Sequence, residues 1–113
     1  MTNANRSEPA MEFTTKGKGP APKQGDKVRV HYVGTFPDGK KFDSSRDRGQ
    51  PFEFPLGMGR VIRGWDIAVA KMHVGDRAKV TIPYELAYGE RGIPPTIPGK
   101  SDLVFDIEFI GIG

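Results

Sequence analysis

The pattern of apolar and polar residues predicts one helix among several strands. Apolar side chains recur at Ile62, Trp65, Val69 and Met72, with Ala68 beside them, which is the spacing of one helical stripe. The predicted helix begins at the start of this stripe and runs through Met72. Because neither a helix nor a sheet buries its apolar face alone, we expect the stripe to pack against a sheet. Periodicity by itself makes Trp65 a core residue at the centre of the fold.

The other strong patterns indicate strands and loops. Extended or alternating segments are 11–13, 26–32, 41–44, 52–54, 77–82 and 103–109. Residues 45–51 indicate an irregular loop or bulge. The longest irregular stretch, 84–101, carries apolar residues and predicts the rim of a binding site. The predicted fold class is α+β, with an antiparallel sheet of about five strands wrapped around one short α-helix.

Composition narrows the class of protein. A chain of 113 residues predicts one domain with a proper core, at residues 11–113, preceded by a disordered polar tail at residues 1–10. Cysteine is absent, which excludes disulfides and thiolate chemistry. The two histidines, His31 and His73, lack the spacing of metal ligands. No apolar run reaches the roughly 18 residues of a membrane span, and the N-terminus lacks a secretory apolar region. A cytoplasmic protein without metal or membrane partner is expected.

The charge is concentrated near the N-terminus. The net charge is +3 and the isoelectric point is near 9.3, values that invite a nucleic-acid interpretation. Residues 1–25 hold four basic and two acidic side chains, whereas the remaining 88 hold 13 basic and 12 acidic. A body so nearly balanced lacks the basic face that phosphate binding requires. No nucleic-acid partner is therefore expected, and binding through the tail stays as a minor alternative.

Several motifs occur in an order typical of one family. They are Val30-His31-Tyr32-Val33-Gly34, Gly39 to Arg48, Pro51-Phe52, Val61-Ile62-Arg63-Gly64-Trp65-Asp66, Val74-Gly75, Ala87-Tyr88-Gly89, Ile97-Pro98 and Leu103-Val104-Phe105-Asp106. This series resembles the FKBP family of macrolide-binding peptidyl-prolyl cis/trans isomerases over roughly residues 11–111. The resemblance implies a minimal, monomeric isomerase domain that needs no cofactor or metal. Its implied partners are proline-containing peptides and proteins and macrolides such as rapamycin.

The resemblance also implies a site, residue by residue. Catalytic positions fall on Tyr32, Asp43, Trp65, Tyr88 and Phe105, and ligand-binding positions on Phe42, Arg48, Phe52, Val61, Ile62, Ile93 and Ile97. Trp65 resembles the pocket floor, and Asp43 a carboxylate at the pocket edge that Tyr32 and Arg48 hold. The backbone N–H of Ile62 and the hydroxyl of Tyr88 resemble donors to the carbonyls that flank the proline. From spacing alone, Asp43 and Arg48 would be an ordinary surface ion pair.

Three residues depart from the family pattern and bear on substrate preference and macrolide affinity. They are Leu86, Ile93 and Thr96, all in or beside the long loop. Two functions stay open: an isomerase, and a non-catalytic module that docks proline-containing partners in the same pocket. Retention of the aromatic and acidic positions together favours the enzyme. Asp43 is interpreted mainly as a positioner of the pocket wall, with an electrostatic role in the reaction as the alternative.

Overall fold

The structure, a computed structural model, describes residues 6–113. Its strands are β1 (Ala10–Thr15), β2 (Lys27–Thr35), β3 (Lys41–Ser44), β4 (Phe52–Pro55), β5 (Arg77–Ile82) and β6 (Leu103–Ile112). Its helices are α1 (Ser45–Arg48) and α2 (Arg63–Ala70), with a 3₁₀ turn at Tyr84–Leu86. All strand pairs are antiparallel, in the order β1-β5-β6-β2. The predicted fold class is confirmed.

The sixth strand arises because one sheet position is filled twice. β3 pairs with the C-terminal part of β2, at 33–35, and β4 pairs with its N-terminal part, at 27–30. The helix α1 stands between them in the chain. Six strands therefore occupy five positions, with β1 on one edge and β3 with β4 on the other.

The inner face of the sheet carries the alternating apolar residues. Those buried on the three central strands are Val28, Val30, Tyr32, Ala78, Val80, Ile82, Leu103, Phe105, Ile107 and Phe109. Helix α2 covers this face with Trp65, Ala68 and Val69. The helix can lie close because Gly64 has no side chain: a Cβ there would stand 2.5 Å from Cγ2 of Ile82. The predicted stripe is therefore the face that meets the sheet.

Helix α2 is shorter than the pattern predicts. It ends at Ala70, and Met72, the last apolar residue of the stripe, is fully buried beyond the helix. The chain turns here because the buried carboxylate of Asp76 accepts hydrogen bonds from the backbone N–H groups of His73 (2.8 Å) and Gly17 (2.6 Å). The apolar periodicity continues past the end of the helix because Met72 packs into the same core.

The segment predicted as an irregular loop at 45–51 begins with a helical turn. Ser44 caps α1 by accepting a hydrogen bond from the N–H of Asp47, and Gly49 ends it at φ +70°. The buried Ser45 hydroxyl accepts from the N–H of Tyr32 (2.7 Å) and bonds to Nδ1 of His31 (2.9 Å). These bonds fasten α1 to β2. The prediction was wrong because four residues are too few to show helical periodicity.

The predicted division into a disordered tail at 1–10 and a domain at 11–113 stays a prediction, and the structure describes only residues 6–10 of that tail. Residues 1–5 lie outside the described residues. Pro9 is buried, Ala10 begins β1, and Lys71 pairs with Glu8 at 2.9 Å. Arg6 forms ion pairs with Glu85 and Asp102 at 2.7 Å each. Contacts distant in the sequence order this segment, and local composition does not reveal them. Within residues 6–113, neither helix has the length and apolar character to cross a membrane.

Candidate active site

A cavity of about 180 Å³ opens between the sheet, the N-terminus of α2 and the long loop. Its lining residues are Tyr32, Phe42, Asp43, Phe52, Arg60, Val61, Ile62, Trp65, Tyr88 and Phe105. Strands β2, β3, β4 and β6 contribute one wall residue or more each. The cavity is therefore assembled from segments far apart in the sequence, on a rigid sheet and helix for most of its wall.

Trp65 lies at the centre of the aromatic wall. Only 4% of the residue is exposed. Its ring stands nearly perpendicular to those of Tyr32 (centroids 4.8 Å apart), Phe105 (5.3 Å) and Phe52 (5.8 Å), the edge-to-face arrangement that aromatic pairs favour. The indole Nε1 is buried and has no hydrogen-bond partner among residues 6–113. Packing alone therefore fixes the indole.

A glycine in β2 lets two wall rings meet. Gly34 lies opposite Asp43 on β3 and Phe105 on β6. A Cβ at this position would stand 2.8 Å from Cζ of Phe42 and 2.9 Å from Cε1 of Phe105, closer than real side chains approach. Those two rings are in edge-to-face contact at 5.7 Å. The missing side chain of Gly34 thus sets the shape of this wall.

Asp43 is held at the cavity edge by three donors. The Tyr32 hydroxyl donates to Oδ2 (2.6 Å), and Arg48 Nη1 and the Ser44 N–H donate to Oδ1 (2.6 and 2.8 Å). Arg48 Nη2 also donates to the Tyr32 hydroxyl at 2.9 Å, closing the triangle. Burial alone would raise the pKa of Asp43, but the hydrogen bonds outweigh it and hold the pKa below its ordinary value. Asp43 is therefore a carboxylate whose two oxygens both accept hydrogen bonds from neighbouring groups.

Two further residues with polar donors line the cavity from other elements. Ile62 precedes α2 as its N-cap, and its carbonyl accepts from the N–H of Trp65 at 3.0 Å. In the described part of the chain, the N–H of Ile62 itself has no acceptor. Tyr88 is 36% exposed on the long loop, and desolvation, with the nearby charge of Asp43, raises the pKa of its hydroxyl. The hydroxyl is a neutral donor at neutral pH.

Nine of the twelve site residues that the resemblance implies line this cavity. Arg48 stands behind Asp43 and Tyr32, off the wall. Ile93 and Ile97 pair with each other across the loop, with Ile93 46% exposed and Ile97 buried in the core. The structure does not place these three side chains on the cavity wall, and their assignment as ligand-binding residues stays a prediction.

One wall residue, Arg60, is absent from the sequence prediction. It is an exposed cation in an irregular segment, where no periodicity indicates which way a side chain faces. The only available signal was its position directly before Val61 and Ile62, both of which line the cavity.

A small aromatic cavity with a few fixed polar groups defines a protein that binds an apolar group by shape. A family model described as FKBP-type peptidyl-prolyl cis-trans isomerase matches residues 19–110. The chain belongs to this family and is a peptidyl-prolyl cis/trans isomerase.

Individual relatives agree with this assignment. The chain is 56% identical over 91 residues to FK506-binding protein 1 of Yarrowia lipolytica, covering 80% of this chain and 84% of that protein. Its identity to peptidyl-prolyl cis-trans isomerase Fkbp12 of Drosophila melanogaster is also 56% over 91 residues, with the same coverage. The crystal structure of AtFKBP13 superposes with a TM-score of 0.88 at 41% identity, covering 95% of this chain and 94% of that one.

Proposed function

We propose that the cavity around Trp65 is where this chain accelerates rotation about Xaa–Pro bonds. The proline ring lies over the indole, with Tyr32 and Phe105 beside it. The N–H of Ile62 and the hydroxyl of Tyr88 bind the carbonyls that flank the proline. The observation that carries the proposal is the buried indole, packed edge-on by three rings at the base of an open cavity.

The energy that such a pocket must supply is modest. The barrier to amide rotation is about 18–20 kcal/mol, and about 20 kcal/mol corresponds to roughly 0.01 turnovers per second. Reaching on the order of 100 per second requires about 5.5 kcal/mol. The twisted amide of the transition state has lost its resonance and carries a less polar carbonyl. An apolar wall withdraws water that would favour the planar amide, and complementarity to the twisted form supplies the remainder.

Asp43 acts in this proposal as a positioning residue. Its two oxygens already accept hydrogen bonds from Tyr32, Arg48 and the Ser44 N–H. A carboxylate with its charge engaged in this way is a weak partner for a rotating carbonyl. Its bond to the Tyr32 hydroxyl instead fixes a ring that contacts Trp65 at 4.8 Å.

Macrolides of the rapamycin type are proposed to inhibit by occupying the same cavity. The relatives from three yeasts are named FK506-binding proteins, which supports macrolide binding at a shared pocket. In the cell, we propose that the chain assists folding or proline-switch regulation. A monomeric state and a cytoplasmic location stay predictions, and gel filtration with light scattering would measure the former.

The decisive measurement is the cis-to-trans relaxation rate of a short Xaa–Pro peptide, with and without rapamycin. We expect strong acceleration that rapamycin abolishes, and a large loss in Trp65→Phe, with Lys23→Gln as a surface control and circular dichroism as the check of folding. A folded protein that binds rapamycin without accelerating the peptide would favour the docking module. A folded protein with neither property would show that the pocket is assigned wrongly.

A further inference from the structure

Arg60 places an uncompensated positive charge on the wall of the cavity. It lines the cavity together with Val61 and Ile62. Its side chain is exposed, and in the part of the chain that the structure describes it forms no ion pair or hydrogen bond. The other charged residue of the lining is engaged: Asp43 pairs with Arg48 at 2.6 Å. A ligand therefore meets Arg60 as an available cation.

The backbone that carries Arg60 is fixed although its side chain is not. The preceding turn contains Gly57 and Gly59, both with positive φ (+76° and +71°). Asp66, in the first turn of α2, accepts hydrogen bonds from both of their N–H groups, at 2.8 and 3.1 Å. On the C-terminal side, Ile62 begins the cap of α2. The backbone of Arg60 is thus held between two anchored points, beside a cavity that its side chain helps to line.

The charges at the mouth do not cancel. Among residues 6–113, Asp43 and Arg60 are the only charged residues in the lining, and Arg48 bonds to Asp43 from off the wall. The carboxylate of Asp43 is already paired with Arg48 at 2.6 Å, and it forms no ion pair with Arg60 within the described residues. The remaining charge at the mouth is that of Arg60, at a site whose wall residues other than Asp43 are aromatic or aliphatic. Charge at the rim of an apolar cleft selects ligands by sign.

We propose that Arg60 is a specificity-determining residue that favours Xaa–Pro segments with an acidic side chain next to the proline over those with a basic one. This inference rests on the proposed function, because it requires that the proline occupies the cavity. The apolar wall would bind the proline ring whatever its neighbour, while Arg60 would discriminate among neighbours. The guanidinium binds a carboxylate through two parallel N–H groups, which an ammonium at this position would not reproduce.

The test uses three peptides that differ only in the residue next to proline: Glu, Gln and Lys. A second set places the same residues on the other side of the proline. Because the side chain of Arg60 is solvated, we expect kcat/KM for Glu to exceed that for Lys by about threefold to fivefold at low ionic strength. Added salt would reduce this ratio toward one. The ratio would fall to near one in Arg60→Gln and invert in Arg60→Glu.

Arg63→Gln is the matched control, because it removes the same charge three residues away. Arg63 is exposed and does not line the cavity; it lines a neighbouring surface hollow that shares only Val61 with the cavity wall. A preserved Glu-to-Lys ratio in Arg63→Gln, with a lost ratio in Arg60→Gln, supports the proposal. An equal loss of the ratio in both variants would reduce it to a net-charge effect, and a preserved ratio in both would show that Arg60 has no part in it; either result would overturn the proposal.

The peptides also separate this inference from the proposed function. If wild type accelerates the Gln peptides but treats Glu and Lys alike in both sets, the role of Arg60 is refuted and the isomerase stands. If a folded wild type accelerates none of the peptides, the proposed function fails and the inference fails with it.

Discussion

The cavity has two sides that are held by different forces. On the sheet and helix side, Tyr32, Trp65 and Phe105 are all buried and in mutual ring contact. On the loop side, Tyr88 belongs to the stretch 84–102 and is exposed. The first side is part of the hydrophobic core, whereas the second is exposed at the cavity and is joined to the core by Leu86 and Ile97 and, at its base, by hydrogen bonds and ion pairs.

The two sides of the cavity should respond differently to the loss of one contact. A buried ring removed from the core leaves a cavity that neighbours fill only in part. The loop instead is closed at its base by polar groups: Asp102 accepts from the N–H of Tyr84 at 2.9 Å, and Arg6 bonds to Asp102 and Glu85. Exposed pairs of this kind contribute little each. We therefore expect the sheet side to govern whether the site exists, and the loop side to govern what it accepts.

The largest effect is expected on truncating the ring at the centre of the sheet side. Trp65→Ala should lower the free energy of unfolding by about 3–5 kcal/mol, a large part of the roughly 5–15 kcal/mol of a typical domain. Urea denaturation followed by circular dichroism measures the loss, and Trp65→Phe, which keeps a ring, should lose less. A loss below about 1 kcal/mol in the alanine variant would show that the indole is not part of the core.

A smaller effect should follow from adding one methyl group at the wall. Gly34→Ala would press a Cβ against Phe42 and Phe105, so we expect a loss of about 1–3 kcal/mol together with reduced isomerase activity. The clash predicts its own rescue: in Gly34→Ala with Phe42→Leu, the smaller side chain should recover part of the stability. Additive losses in the double variant would show that the two side chains do not meet.

Removing a single hydroxyl at the edge of this side should cost less again. Tyr32→Phe deletes the donor to Asp43 and the acceptor of Arg48, and we expect a loss of about 1 kcal/mol, kept small by solvent at the partly exposed Asp43. The variant should also move the pKa of Asp43 upward toward its ordinary value. A carboxyl ¹³C titration measures this shift, and an unchanged pKa would contradict the hydrogen-bonded triangle of Tyr32, Asp43 and Arg48.

The sign of the pH dependence follows from the lowered pKa of folded Asp43. Its stabilising contribution is present above the ordinary Asp value of about 3.9 and is lost as the pH falls through the lower folded value. The difference in stability between wild type and Tyr32→Phe should therefore be largest at neutral pH and shrink in acid.

The two sides also differ in how far the sequence predicts them. The phase of the alternation in β2 and β6 correctly turned Tyr32 and Phe105 inward, and the helical stripe buried Trp65. Each element repeats a simple period, and burial follows that period. Family resemblance was needed to interpret these core residues as a site, because a core and a pocket floor share the same pattern.

The loop side, the segment that carries Arg60 and the N-terminal segment show no regular period of apolar residues. Arg60 stands in an irregular segment, and the pairing of Ile93 with Ile97 turns Ile97 into the core. Arg6 reaches Glu85 and Asp102 across 79 and 96 residues of sequence. Contacts of that separation leave no local signal, which is why composition alone predicted a disordered tail at 1–10.

The smallest expected effect concerns this long-range contact. Arg6 is partly exposed, with 40% of its side chain accessible, and its guanidinium lies 4.9 Å from the ring of Tyr84. In Arg6→Gln the base of the loop should open more often, while the sheet side keeps its packing. We expect amide exchange at Gly89 and Lys100, whose N–H groups bond within the loop, to accelerate by about twofold to fivefold.

Where amide exchange becomes faster tests whether the two sides of the cavity are held independently. Exchange in β2 and β6 should stay as in wild type, and KM for a peptide should rise more than kcat falls, because the loop-borne Tyr88 contacts the substrate in the proposed function. Lys23→Gln removes the same charge from an exposed position and should change neither exchange nor KM. Faster exchange throughout the sheet in Arg6→Gln would mean that the N-terminal segment supports the whole domain, and the division of the cavity into two independently held sides would then be wrong.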